Sequence, residues 1–227
     1  TVHIGTLKLS NYFNANNRNI TSSQNVQLLP GKSYTITLKF ELGIQLAASD
    51  INLTQNGCTA SDKNYLAKLR WATGNLKSTG STNYIWAPSQ TETGYYYTWY
   101  STYTGNKTTN NTDPCSKLNT AYYGTGWRTP SENDYIPLSR CTDKVLTNGG
   151  MWFMNKSIGI FLLAAGTIGN GGGSATSNPN YSTAKTGQYW TSKKDGENRG
   201  ISFTFNPSST FMFSDYQATG IPVRCVK

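Results

Sequence analysis

The chain has 227 residues and a net charge of +9, and charged side chains are only 14% of it. A length of this order accommodates one large or two small domains, and a domain of about 150 residues buries roughly 70% of its unfolded surface, so no metal or cofactor is needed to hold a core together. Gly, Ser, Thr, Asn and Tyr dominate, which excludes long solvated helices and suits short strands joined by turns. The basic residues are scattered and Lys193-Lys194 is the longest run, which excludes a nucleic-acid footprint. No segment reaches about 18 apolar residues, so no transmembrane segment is predicted. No leader of the secretory kind is visible either, and the chain reads as mature material that has already crossed a membrane.

Residues 1 to 45 alternate as strands do, Val2, Ile4, Leu7 and Leu9 in one, with a slip at Gly5, and Tyr34, Ile36, Leu38 and Phe40 in a second. Two or three strands cannot bury both faces of a sheet, so the expectation is a partial β-sandwich whose remainder precedes Thr1, or else strands packed on the following domain. Gly43 to Lys63 reads as a linker leading into that second domain, which is expected over 60–227. Leu69, Trp71 and Leu76 mark an early strand and turn, and Tyr84 to Ala87 another.

The run Tyr95-Tyr96-Tyr97-Thr98-Trp99-Tyr100 predicts a strand with Tyr95, Tyr97 and Trp99 on one face and Tyr96 and Tyr100 on the other. One face suits a core, and the other is a candidate shelf on which a sugar ring could stack. Asp113 is expected to cap a helix with Pro114 at its first position, Cys115, Leu118 and Tyr122 on one face, and Gly124 as its stop. Ser131 and Asp134 form a capping-box pattern for a second helix, which Pro137 should shorten or kink at a cost of about 3 kcal/mol. Met151 to Met154 and Ile158 to Ala165 read as buried strands. Gln188 to Trp190, Gly200 to Phe205, Thr210 to Phe213 and Pro222 to Val226 complete an antiparallel sheet.

Four cysteines without a C-x-x-C pair or histidine partners predict disulfides and an oxidising compartment, and three pairings are open. His3 is the only histidine and falls in the N-terminal piece, so triads built on histidine have no base in the second domain. Calcium requires clustered oxygens, and Asn178-Pro179-Asn180 offers only a fragment of such a set. Gly169-Asn170-Gly171-Gly172-Gly173 lacks the Lys-Ser/Thr of a phosphate loop. No metal, cofactor or catalytic residue is therefore assigned. An enzyme would need two convergent carboxylates among Asp134, Asp143, Asp195, Glu197 and Asp215.

Cys115, the string Gly126-Trp127-Arg128-Thr129-Pro130-Ser131, the string Gly187-Gln188-Tyr189-Trp190-Thr191-Ser192 and the closing Val223-Arg224-Cys225-Val226-Lys227 resemble the FISUMP domain. That family occurs in secreted and surface proteins of Bacteroidetes-type bacteria and is similar to the C-type-lectin-like and formylglycine-generating-enzyme folds. Leu29-Pro30-Gly31-Lys32-Ser33-Tyr34-Thr35 resembles the terminal turn and strand of fimbrillin-like β-sandwich domains. These resemblances imply an α+β, β-rich chain: a C-type-lectin-like domain with two short helices and antiparallel sheets, preceded by part of a β-sandwich. They imply disulfides Cys115 to Cys225 and Cys58 to Cys141. Flanked by Gly and Pro, Trp127 reads as core and Arg128 as the partner of a carboxylate or carbonyl. The implied location is extracellular, on a fimbrium or an outer-membrane lipoprotein. The implied role is adhesion, by a pilus tip or accessory subunit meeting a glycan or host surface protein and other fimbrial subunits. A purely structural fimbrial subunit, or a secreted enzyme of the formylglycine-generating-enzyme-like fold, are the alternatives. Lectin-like folds bind through long loops, and here Gly166 to Thr186 offers Asn170, Asn178 and Asn180 for hydroxyl groups and Tyr181 as a stacking ring.

Overall fold

The computed structural model describes residues 43–51, 53–54, 57–78, 84–102, 109–147, 149–155, 158–168 and 186–227. The chain divides into two units, Thr1–Glu41 and Leu42–Lys227, and all described residues belong to the second. The strands expected over residues 1 to 42, and His3 with them, lie outside the described residues.

The second unit is β-rich, with antiparallel sheets and three α-helices among the described residues. The helices are α1 (Ala60–Leu66), α2 (Thr120–Tyr123) and α3 (Glu132–Cys141). The strands are β1 (Leu76–Ser78), β2 (Tyr84–Trp86), β3 (Tyr96–Tyr97), β4 (Asp143–Thr147), β5 (Gly150–Asn155), β6 (Ile158–Leu163), β7 (Gly187–Lys194), β8 (Arg199–Phe205), β9 (Thr210–Tyr216) and β10 (Ile221–Pro222). They pair as two two-stranded ribbons, β1-β2 and β10-β3, and two three-stranded sheets, β4-β5-β6 and β7-β8-β9.

The segment expected as a linker is part of this unit. Ile44, Leu46 and Ile51 are buried, and Ile44 exchanges backbone hydrogen bonds of 2.7 and 2.8 Å with Trp71. Thr59 and Asp62 then form a reciprocal capping box that starts α1. That Thr-x-x-Asp pattern was present in the sequence and marks a helix start as Ser131 does.

The single helix expected after Asp113 is two turns instead. Asp113 caps a 3-10 turn over Pro114–Lys117 and Asn119 caps α2 separately. Leu118 between them is extended and bridges Tyr84, because burying Leu118 against β2 outweighs one unbroken helix and Asn119 supplies the second cap. Tyr122, expected on the buried face, is consequently 76% exposed. Helix α3 begins as expected, with Ser131 and Asp134 in a capping box, and runs through Pro137 to Cys141. The carbonyl that Pro137 leaves without a helical donor belongs to Asn133, an exposed residue.

Two disulfides join Cys58 to Cys141 and Cys115 to Cys225, the pairs that the resemblance implies. Between them runs the C-terminal segment. Val226 pairs with both Trp71 and Arg128, and Cys225 and Val223 carbonyls accept from Ala72 and Leu76. The guanidinium of the fully buried Arg224 donates to Asn75 Oδ1 and to the carbonyls of Ala72, Gln90 and Phe161 at 2.9 to 3.4 Å. A buried cation surrounded by four acceptors on three different segments fixes those segments to one another. No helix among the described residues is long and apolar enough to cross a membrane.

Candidate functional site

Most of the residues that carry the resemblance are internal. Trp127 is buried and its Nε1 donates to the Tyr123 carbonyl at 2.7 Å. Arg128 makes a two-pronged pair with Asp134, at 2.6 and 2.9 Å, and the Tyr65 hydroxyl donates to the same carboxylate at 2.8 Å. Trp190 is wholly buried, its Nε1 donating to the Tyr97 carbonyl at 2.7 Å, and Tyr189 is held between Asn75 and Leu163. Thr129 places its N–H and hydroxyl on the Asp113 carboxylate, which also caps Cys115. These side chains hold the fold together and are spent on internal partners.

The aromatic run is not a shelf. Tyr96, Tyr97 and Trp99 are all buried, and Tyr95 and Tyr100 are half-buried. Tyr95, Tyr97 and Trp99 do share one apolar cluster while Tyr96 enters another, as strand alternation requires. Tyr100 joins the Trp99 side because its φ of 44° breaks the alternation, bringing the two rings to 5.3 Å. Both faces of a run so rich in rings are consumed by cores, and the sugar shelf expected here is excluded by burial. Asn170, Asn178, Asn180 and Tyr181 lie outside the described residues. The described ends of that loop are Ile168, which pairs with Gly220 just past β9, and Gly187, which opens β7.

Strand β9 carries exposed aromatic rings side by side. Phe211 is 40% and Phe213 46% exposed, and their rings meet edge to face at 6.5 Å. Residues two apart share a face, so Asp215 stands next in the same row. The register sets Phe211 opposite Thr204, Phe213 opposite Ser202 and Asp215 opposite Gly200, with Gln188 of β7 beyond Thr204. Gly200 is required because Trp99 packs on it, where a Cβ would approach the indole to 2.2 Å. Asp215 Oδ2 accepts from the Ser202 hydroxyl at 2.6 Å and from Gln188 Nε2 at 3.3 Å. Burial pushes the Asp215 carboxyl above the usual aspartate range, and the Ser202 hydroxyl, the Arg199 charge and Gln188 offset this only in part.

The opposite face of the same sheet is committed to structure. Tyr189, Phe203 and Phe205 fill the main core, with Tyr135 of α3 stacked on Phe203 at 4.5 Å. At its end Arg199 lies over the Tyr216 ring at 4.6 Å and donates to Ser214 Oγ and to the Ser214 carbonyl, while Ser214 Oγ donates to Asp195. Asp195 and Asp215 therefore reach β9 from its two faces, and Asp134 is taken up by Arg128. Among the described residues no group of three or more His, Cys, Asp or Glu could hold a metal ion.

What the Phe211, Phe213 and Asp215 row offers is two apolar ring surfaces beside a half-buried carboxylate and the half-buried side-chain amide of Gln188, a mixture that binds an amphipathic, hydroxylated molecule by stacking and hydrogen bonding. The alternation Phe-Met-Phe-Ser-Asp was legible as a strand, but not which face would be open. Comparison with protein-family models, curated proteins and solved structures finds no significant match to this chain.

Proposed function

We propose that this chain is a cell-surface adhesion protein whose second unit is a lectin-like binding module, and that it engages saccharide through the exposed row of β9. The observation that carries this reading is the juxtaposition of Phe211 and Phe213, each close to half exposed, with the half-buried Asp215. Exposed rings aligned on one strand are disfavoured in water unless something covers them, and the C–H face of a pyranose with its hydroxyl rim matches both parts of the row. Two disulfides support an oxidising, extracellular setting. The FISUMP resemblance supports a lectin-like fold and a fimbrial or outer-membrane location, with other fimbrial subunits as assembly partners.

Strand addition at the β9 edge is the competing use of this region, and the hydrogen bonding disfavours it. The Ser214 carbonyl already accepts from Arg199 and the Tyr216 carbonyl from Thr219 N–H, so part of the edge is occupied. The test is a glycan array probed with the full chain and with a Phe211→Ala/Phe213→Ala variant. The expected result is a discrete set of sugars bound by the parent and lost in the variant while the fold persists. Equal binding by both proteins would move the site off β9, with a variant shortened between residues 169 and 185 then deciding for or against the loop.

A further inference from the structure

We propose that Asp215 makes the β9 row selective for amino sugars, its carboxylate holding the sugar ammonium while Phe211 and Phe213 carry the ring; this rests on the saccharide reading above. Three observations point this way. First, both protein donors converge on Asp215 Oδ2, from Ser202 and from Gln188, so Oδ1 is the oxygen left to a ligand among the described residues. Second, Asp215 has no ion-pair partner among the described residues. The acids at 92, 134, 62 and 132 are paired with Lys77, Arg128, Arg140 and Lys193, whereas the basic group nearest Asp215 along the sheet, Arg199, is spent on Ser214 and Tyr216 at the other face.

Third, the surroundings of Asp215 favour a cation over a neutral hydroxyl. The groups in contact with it are Gln188 from β7, Ser202 from β8, Phe213 from its own strand and Trp99 over Gly200, all uncharged; the charges that face it from further off are Arg199 of β8 and Lys194, opposite Gly200 on β7, and neither forms an ion pair with it. Half burial weakens water's screening of the carboxylate. Aromatic rings add attraction for an ammonium through their quadrupoles. An N-acetylated sugar loses the charge that both features recognise, and an acidic sugar sets carboxylate against carboxylate.

The experiment measures retention of the full chain on beads bearing glucosamine, N-acetylglucosamine or glucuronate, at neutral pH and high salt so that the overall positive charge is screened. The expected result is retention on glucosamine about tenfold stronger than on the other two, the factor that one charge-assisted hydrogen bond contributes. Asp215→Asn should abolish that difference, and Phe211→Ala/Phe213→Ala should weaken retention on every bead. Acidification of the unmodified chain provides a check that needs no variant to fold. Glucosamine stays charged while Asp215 is neutralised, so retention should fall. Retention that is flat in acid, equal on glucosamine and N-acetylglucosamine, or absent on glucosamine overturns the selectivity. If the array signal still depends on Phe211 and Phe213 in those cases, the saccharide reading stands without it, and if it does not, both fall.

Discussion

Asp134 and Asp215 show how one residue type takes opposite roles. Burial alone would raise the Asp134 carboxyl, but the Arg128 guanidinium and Ser131 outweigh it and hold it below its ordinary value. A depressed carboxyl contributes stability that is present above the unfolded pKa and lost as pH falls through the folded one. Asp134→Asn should therefore lower the midpoint of thermal unfolding at neutral pH and flatten its fall in acid. The loss is about 2 kcal/mol, less than for a fully buried pair because the Arg128 side chain is 40% exposed. Asp215 has the opposite sign. Its raised carboxyl favours the folded state below the unfolded pKa, and that contribution disappears as pH rises through the folded value. At neutral pH Asp215→Asn should leave stability unchanged or raise it, while removing binding. A drop in midpoint as large as that of Asp134→Asn would show Asp215 to be a structural group.

At the scale of elements, the last five residues act as an internal strut, with Val226 between Trp71 and Arg128 and Arg224 gripping four acceptors. Burial lowers the Arg224 pKa, partly offset by the hydroxyls of Tyr189 and Tyr135, yet guanidinium remains charged at any pH where the protein folds. Arg224→Lys keeps the charge but not the planar fork, leaving some of those acceptors without donors. The expected cost is about 3 kcal/mol, read as a shift in urea midpoint with unchanged slope. A shift within error would mean that the fork is dispensable. Thr59→Ala should cost about 1 kcal/mol by removing the cap of α1, and protease cleavage near residue 59 should rise with it.

For the second unit as a whole, the bridges close separations of 83 and 110 residues. In the chain-entropy model each is worth roughly 4 to 5 kcal/mol, mostly by restricting the unfolded chain. Peptide mapping without reductant should recover Cys58 with Cys141 and Cys115 with Cys225, and any other pairing, or free thiols, contradicts this topology. Replacing Cys115 and Cys225 together by alanine should lower thermal stability strongly, since that bridge anchors the C-terminal segment as well as closing the longer loop.

Most strands and the second helix start were legible because their signals are local: the aromatic stretch in 188–190, the alternation in 200–205, the apolar run from Ile158, the Ser131 and Asp134 box. The β-rich class followed from composition, and Trp127 reads as core and Arg128 as the partner of a carboxylate or carbonyl from their Gly and Pro neighbours; the structure supplies the carboxylate, Asp134. What could not be read was which face of a strand would find a partner. Tyr95 to Tyr100 and Thr210 to Tyr216 are both aromatic strands by pattern, yet tertiary packing closes both faces of the first and leaves the Phe211 and Phe213 face of the second open. Gly43 to Ile51 belongs to a stretch that reads as a linker because Ala, Ser, Asp and Asn are mixed in it without a strand or helix period. Only the long-range pairing of Ile44 with Trp71 made it core. Alternation is a property of neighbouring residues, whereas burial depends on what arrives from distant parts of the chain, and only the folded structure determines that.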